Sequence, residues 1–531
     1  MKVVPSGIPS GWETLHHLSL SHGPSSIVYL SVFLLIVAAS WTHLASKINV
    51  KEVPIINPVR RFMKSRAKQD FLVSAKDILD RARKDFPNQP YRIMTDLGEV
   101  LMLPNCYANE VRNIPGLSLA TANKQDFFGY LPGFSVLAAA QDDHQLLQAV
   151  IKNQLTRCLS KVTSSIADTS SHALLLNLGD SSEWRDVLFK PVALDVVARC
   201  ASRVYLGEHL CRDPDWLRVS KEYSVSLFIA SRDLRIWPDF TQRLVHWFLP
   251  ECRKLRGQVD TARRVIAPVI AARRQLQQQC REAGRKAPEF NNALDWIEQE
   301  AVRKHVQYDP VNFQIMLSVV SIMGATDLLQ ETMLHLAQNP EFLDPLRREV
   351  AGTLREAGRW SKTAVYNMKL LDSVVKESQR LKPLFLANMR RRAEEAFDLS
   401  SGLHVKKGTR ILVEDSRMRD PTLHEDPDKW DGFRFLKMRD REGKQNIAQL
   451  STTSSDHMAF GHGLHACPGR FLAADMVKVT LCHLLIKYEW KLSPGTDTRP
   501  VLHGVSMGTN PGARLLVRRR EDVEIDLESL V

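Results

Sequence analysis

Phe460-Gly461-His462-Gly463-Leu464-His465-Ala466-Cys467-Pro468-Gly469-Arg470 is the segment on which the reading of this 531-residue chain turns. Gly461, Gly463, Pro468 and Gly469 describe a tight loop whose backbone approaches a neighbour closely. A helical run, residues 471–486, follows at once. A cysteine at the mouth of a helix sits where N–H groups and the helix dipole favour its thiolate. The other cysteines (Cys106, Cys158, Cys200, Cys211, Cys252, Cys280 and Cys482) are scattered, with no CxxC pair and no zinc spacing. They read as small buried apolar residues in a reducing compartment. Only Cys467 has a context that asks for a further explanation.

Phe460, Gly463, Cys467 and Gly469 spell FxxGxxxCxG, and at these residues the chain resembles the cytochrome P450 superfamily. The resemblance implies a haem cofactor with Cys467 as the axial metal ligand, the thiolate donating electron density that favours O–O cleavage. It implies that Phe460 packs on the ring and shields the sulfur, while Gly463 and Gly469 let the backbone turn beside the porphyrin. His465, followed by Ala-Cys-Pro-Gly-Arg, is similar to fungal members; other relatives usually carry Arg there. That position meets a haem propionate in the family, and a His would bring a titratable charge to it.

Glu377 and Arg380 lie at i,i+3 in a helical run that Leu381-Lys382-Pro383 ends. Such a pair is common on any helix and usually solvated. The family, however, has its ExxR pair at this place, completed by an Arg from a later loop. Trp430-Asp431-Gly432-Phe433-Arg434-Phe435 resembles that loop without its usual Pro and Glu. Glu377, Arg380 and Arg434 are therefore expected to form a buried structural network that is costly to break.

On the distal side the pattern fails. The family's long helix offers an acid–alcohol pair there, but registering on Asp327-Leu328-Leu329-Gln330 puts Met323 and Gly324 at those positions. Thr326 is the nearest substitute, yet at 3.6 residues per turn it lies ~200° away from Gly324. Gly324 and Thr326 are thus the distal catalytic positions, and three outcomes stay open. Substrate or water delivers the proton; the chemistry is desaturation, rearrangement or coupling; or the chain is a non-catalytic, membrane-tethered haem binder.

The 44% hydrophobic and 25% charged residues describe an ordinary globular chain. A net charge of +12 without basic–aromatic runs points to a membrane surface or acidic redox partner, and not to nucleic acid. Residues 26–46 carry no formal charge and meet the ~20 residues a spanning helix needs, longer than a signal peptide's apolar core. Lys47, Lys51, Arg60, Arg61, Lys64 and Arg66 follow, placing the C-terminal side in the cytosol. The expected organisation is a lumenal tail (1–25), a single-pass endoplasmic reticulum anchor (26–46), a basic, proline-containing hinge (47–61) and one catalytic domain (62–531).

That domain should be mostly α with small β-sheets. Helices are expected over 146–160, 185–206, 256–282, 312–337 and 363–381, and strands over 99–103, 410–413 and 514–517. The resemblance, closest to fungal enzymes related to ent-kaurene oxidase and indole-diterpene oxidases, places a pocket at 127–137, 316–326, 384–389 and 504–509. These apolar stretches suit a large apolar substrate, by analogy a terpenoid or meroterpenoid of fungal secondary metabolism. No GxGxxG fingerprint is present, so electrons are expected from an NADPH–cytochrome P450 reductase, met by Lys152, Arg253, Lys254 and Arg470.

Overall fold

The computed structural model describes residues 53–57, 64–139 and 146–531. The expected anchor and lumenal tail lie outside the described residues. Most of the hinge does too, but residues 53–57 are docked rather than free. Arg92 N–H donates to Pro54 O at 2.7 Å, Ile56 N–H to Arg92 O at 3.0 Å, and Asn57 Nδ2 to Met94 O at 2.9 Å. This short stretch extends the edge of a sheet.

Helices dominate, as expected. At the centre is Pro310–Gln338, capped by the Asp309 carboxylate on the N–H groups of Val311 and Asn312, with Pro310 in its first turn. It is apolar nearly all round and is long enough to cross a membrane, but it is mostly buried in the core. Around it pack Phe189–Leu206, Pro214–Leu234, Lys369–Leu381 and Arg470–Lys487.

Three helical expectations need correction. Residues 185–188 form a strand, Arg185–Leu188, paired antiparallel with Arg514–Val517; the helix begins at Phe189, with Pro191 in its first turn. Residues 363–381 form two helices, Lys362–Asn367 and Lys369–Leu381, broken at Met368 (ψ 78°). The second is capped by Glu349, whose carboxylate accepts Leu370 N–H at 2.7 Å and Leu371 N–H at 2.9 Å. The helical stretch from Leu146 does not stop at Ser160: after Val150–Leu155 it continues as Thr156–Leu178.

The largest sheet orders Tyr91–Thr95, Gly98–Leu103, Arg410–Glu414, Ala387–Ala393 and Leu117–Ser118, with one parallel pair, Gly98–Leu103 on Arg410–Glu414. Ala387–Ala393 carries a bulge between Asn388 and Arg391, with Met389 at φ +53°. Such a bulge re-aims side chains, and here it re-aims two arginines toward one cavity. A hairpin, Val501–His503 with Ser506–Gly508, adds another wall of that cavity.

Candidate active site

Between the central helix and the 460–470 loop lies a mostly apolar cavity of about 2800 Å³. All four stretches expected to line a pocket reach it, through Phe127, Leu317, Met389 and Met507 among others. Cys467 stands on its floor. The Cys467 N–H donates to Phe460 O at 2.7 Å, and Ala466 N–H to Gly463 O at 3.0 Å, which closes the loop. Arg470 folds back, its guanidinium donating to Cys467 O at 2.8 Å and Ser451 O at 2.9 Å. Burial raises the Cys467 thiol pKa more than the N–H groups of Gly469 and Arg470 and the Arg470 charge lower it. The free side chain is therefore a thiol, and a bound metal ion would be needed to hold it as thiolate.

Phe460, Gly463, His465 and Gly469 all line this cavity. Gly463 has φ +75°, and a side chain there would drive a Cβ to 2.6 Å from Arg112 O. Its conformation and the Arg112 backbone, rather than a porphyrin, demand the glycine. Gly469 has ordinary φ and open space around its would-be Cβ. His465 is pushed down to about 4, by burial first and then by the Arg391 charge. Arg391 is itself buried, and its Nε has no partner among the described residues; neither has Gln148 Oε1. A buried sulfur with a guanidinium only partly satisfied, by the Arg390 carbonyl, and a neutral imidazole on the same wall fits haem, whose propionates would take up the remaining donors.

Behind the loop, Glu377 and Arg380 are completely buried and joined twice, Nε to Oε2 at 2.7 Å and Nη2 to Oε1 at 2.8 Å. Arg434 Nε donates to Glu377 Oε1 at 3.0 Å, and Arg380 also donates to Met418 O and Pro427 O, each at 2.7 Å. The three expected residues are thus brought together. Sequence reading missed the rest of the same helix. Lys376 donates to Ile447 O and Gln449 O at 2.7 Å each, Gln379 meets His457 at 3.1 Å, and Asp372 pairs with Lys478 and Arg439. These side chains fasten the segment that leads into the cysteine loop. The signal available was their spacing: positions 372, 376 and 379 share a helix face.

On the distal wall Met323, Gly324, Ala325 and Asp327 line the cavity and Thr326 does not. Thr326 is fully buried, and its hydroxyl has no partner among the described residues. Hydroxyls reach the cavity elsewhere: Ser321, one turn before Gly324, and Tyr205, whose hydroxyl faces the Ser321 side chain. Of the four basic residues expected to meet a redox partner, Lys152 and Arg470 line the cavity, and Arg253 and Lys254 lie on the helix Pro250–Glu282. Arg470 is held by two carbonyls, and Lys254 approaches Glu222 at 4.0 Å.

A cysteine on the floor of an apolar cavity, braced by a buried Arg–Glu–Arg network and roofed by a core helix, is the architecture of a haem-thiolate enzyme. Residues 188–516 match the family model described as Cytochrome P450. The chain is 40% identical over 96% of its length to the cytochrome P450 monooxygenase hepE of Aspergillus oryzae, covering 93% of that protein. It is 41% identical over 82% of its length to cytochrome P450 monooxygenase 1 of Gibberella fujikuroi, covering 99% of it. The retinoic acid-bound cyanobacterial CYP120A1 shares the fold, with a TM-score of 0.65 at 16% identity over 88% of this chain and 99% of that one. The chain belongs to the cytochrome P450 family and is a monooxygenase whose cofactor is haem, iron protoporphyrin IX held by a cysteine thiolate.

Proposed function

We propose that Cys467 is the axial thiolate and that the enzyme oxidises a large apolar substrate, a terpenoid or meroterpenoid of fungal secondary metabolism. The observation that carries this reading is that Cys467 and all four apolar segments wall one cavity. Bound haem would supply dioxygen activation, with the thiolate favouring O–O cleavage. Phe460 would cover the sulfur side, while Arg391 and His465 would bind the propionates. Phe127, Leu317, Met389 and Met507 would hold the substrate and exclude water.

With Gly324 bare, the hydroxyls left on the distal wall are Ser321 Oγ and Tyr205 Oη, while the Asp327 carboxylate is tied to Lys382 and the Thr509 N–H. Tyr205 is pushed up to about 12, by burial first, so its hydroxyl stays protonated and available as a donor. Thr326, off the wall, has a packing role in this reading.

Electrons would come from an NADPH–cytochrome P450 reductase docking where the cysteine loop nears the surface, at the exposed Leu464. Residues 26–46 would anchor the protein in the endoplasmic reticulum membrane, with the catalytic domain (62–531) in the cytosol behind the 47–61 hinge. A patch at Ile236, Trp237, Phe240, Leu244, Trp247 and Phe248 supports membrane contact. Phe240 is 86% and Ile236 80% exposed, and Ile236 also lines the cavity, which places the patch at its entrance.

The test is microsomal expression with a reductase, a reduced carbon monoxide spectrum, and product analysis on terpenoid precursors. A thiolate-type band that Cys467→Ser abolishes, with substrate-dependent NADPH use, is expected. A thiolate-type band that survives Cys467→Ser would sink the ligand assignment.

A further inference from the structure

Opposite the cysteine loop, one cavity-lining cation is left without full compensation. Arg390 lies on the bulged strand next to Arg391, but turns to the other end of the site. Its guanidinium contacts the Asn123 side chain, lies over the Phe127 ring at 5.1 Å, and stands 3.9 Å from Asp126. That last distance is too long for a hydrogen bond.

The charges facing Arg390 are Asp96 and Asp126, from the strand end and the helix before Phe127, and Arg235 and Arg410. Each carboxylate is paired with another guanidinium: Arg410 Nε donates to Asp126 Oδ1 at 3.1 Å, and Arg235 Nη1 to Asp96 Oδ2 at 3.3 Å. Asp126 Oδ2, the oxygen nearest Arg390, takes no hydrogen bond among the described residues. Three guanidiniums thus share two carboxylates, and Lys68 draws on the same Asp96, so positive charge is in excess here. All six groups line the cavity. Burial lowers the Arg390 pKa, as it does for a cation that its neighbours only partly neutralise. A guanidinium has five N–H donors, and most of those on Arg390 are unused.

We propose that Arg390 is a recognition site for a single carboxylate on the substrate, so that the natural substrate is an apolar acid rather than a neutral hydrocarbon or alcohol. A planar carboxylate matches the guanidinium fork, and its negative charge offsets part of the excess. Phe127 and Met389 beside it, with Leu384 further along the cavity wall, would receive the apolar body. This deepens the reading of the cavity as the substrate site and rests on it.

The experiment titrates the full-length holoprotein with dodecanoate and with dodecanol, following the Soret shift, after its reduced carbon monoxide band has been recorded. Dodecanoate is expected to bind at least tenfold more tightly at low salt. Arg390→Gln should erase that preference while leaving dodecanol affinity and the carbon monoxide band unchanged. Equal affinities in the unmodified protein would overturn the proposal, as would a variant that weakens both ligands alike or loses haem, the mark of a propionate ligand. If Arg390→Gln does not fold, Asp126→Asn serves instead. Removing that competing carboxylate should tighten dodecanoate several-fold and leave dodecanol alone, and no change would overturn the proposal. A missing thiolate band in the unmodified protein would defeat the haem-thiolate reading itself, a failure distinct from loss of acid preference.

Discussion

Asp327, three residues past Gly324 on the central helix, accepts the Thr509 N–H at 2.8 Å and so fastens the cavity-facing hairpin to that helix. The Thr509 hydroxyl donates to Glu331 Oε2 at 2.9 Å, one turn on. Lys382 pairs closely with the Asp327 carboxylate, and Lys190 stands 3.6 Å from it. Removing the carboxylate would leave the Lys190 and Lys382 amines and an amide without their partner in a low-dielectric site. Asp327→Ala is expected to cost roughly 3–5 kcal/mol, the range for breaking a buried ion pair, and to raise hydrogen exchange in residues 501–509. Asp327→Asn keeps an acceptor for Thr509 and should lose less. Chemical denaturation of both variants checks this, and equal losses would show that the charge is irrelevant.

The Glu377–Arg380–Arg434 network predicts a graded series. Glu377 accepts from both arginines and from Asp431 N–H, so Glu377→Ala strands a fully buried guanidinium. The expected cost is roughly 3–5 kcal/mol with loss of haem retention. Arg434 is also held by the Glu425 and Lys429 carbonyls near the surface. Arg434→Ala should therefore cost clearly less. Haem content and denaturation midpoints, measured side by side, would expose a reversed order.

Sequence exposed the cysteine loop because its constraints are local. Gly463 needs positive φ, and Cys467 must follow a fixed number of residues after Phe460 to receive its hydrogen bond. Glu377 and Arg380 were legible for the same reason, being neighbours on one helix. Arg391, Asp372 and Glu349 were not. Their meaning comes from partners distant in sequence: Arg391 from His465, Asp372 from Lys478 and Arg439, and Glu349 from a helix end it caps. The strand 185–188 was hidden likewise, since its pairing partner lies over three hundred residues on. Local pattern favoured extending the helix there, and tertiary pairing decided otherwise.

Buried histidines around the same network make a pH prediction. Burial, aided by the Arg380 charge, pushes His335 and His424 down to about 4, and His457 is lowered well below its usual range. A folded-state value below the unfolded ~6.5 means that stability is present above pH ~6.5 and is lost as pH falls toward ~4. Each such group can contribute roughly 3 kcal/mol of that loss. Glu331 and Asp415, raised to about 7 by burial, act in the opposite sense, losing stability as pH rises through 7. The sharp expectation is therefore a difference: His424→Gln should flatten the decline of the thermal midpoint between pH ~6.5 and ~4 by about one proton's worth of slope. An unchanged slope would place His424 outside the acid response.

Gly324 supplies the last prediction, because space and chemistry oppose each other there. A Cβ at this position would lie 3.2 Å from Leu384 Cδ1, so a side chain fits only if Leu384 yields. Gly324→Thr is expected to destabilise the protein by about 1–3 kcal/mol through overpacking. Leu384→Ala should relieve that strain in the double variant, giving a non-additive cycle. The added hydroxyl would stand one turn from Ser321, at a position that now carries none. If distal hydroxyls limit proton delivery, the double variant should convert a larger share of consumed oxygen into product than Leu384→Ala alone. Measuring oxygen uptake, peroxide release and product in the same reactions decides the matter. An unchanged ratio, with the strain relieved, would mean that Gly324 does not occupy the position facing bound dioxygen.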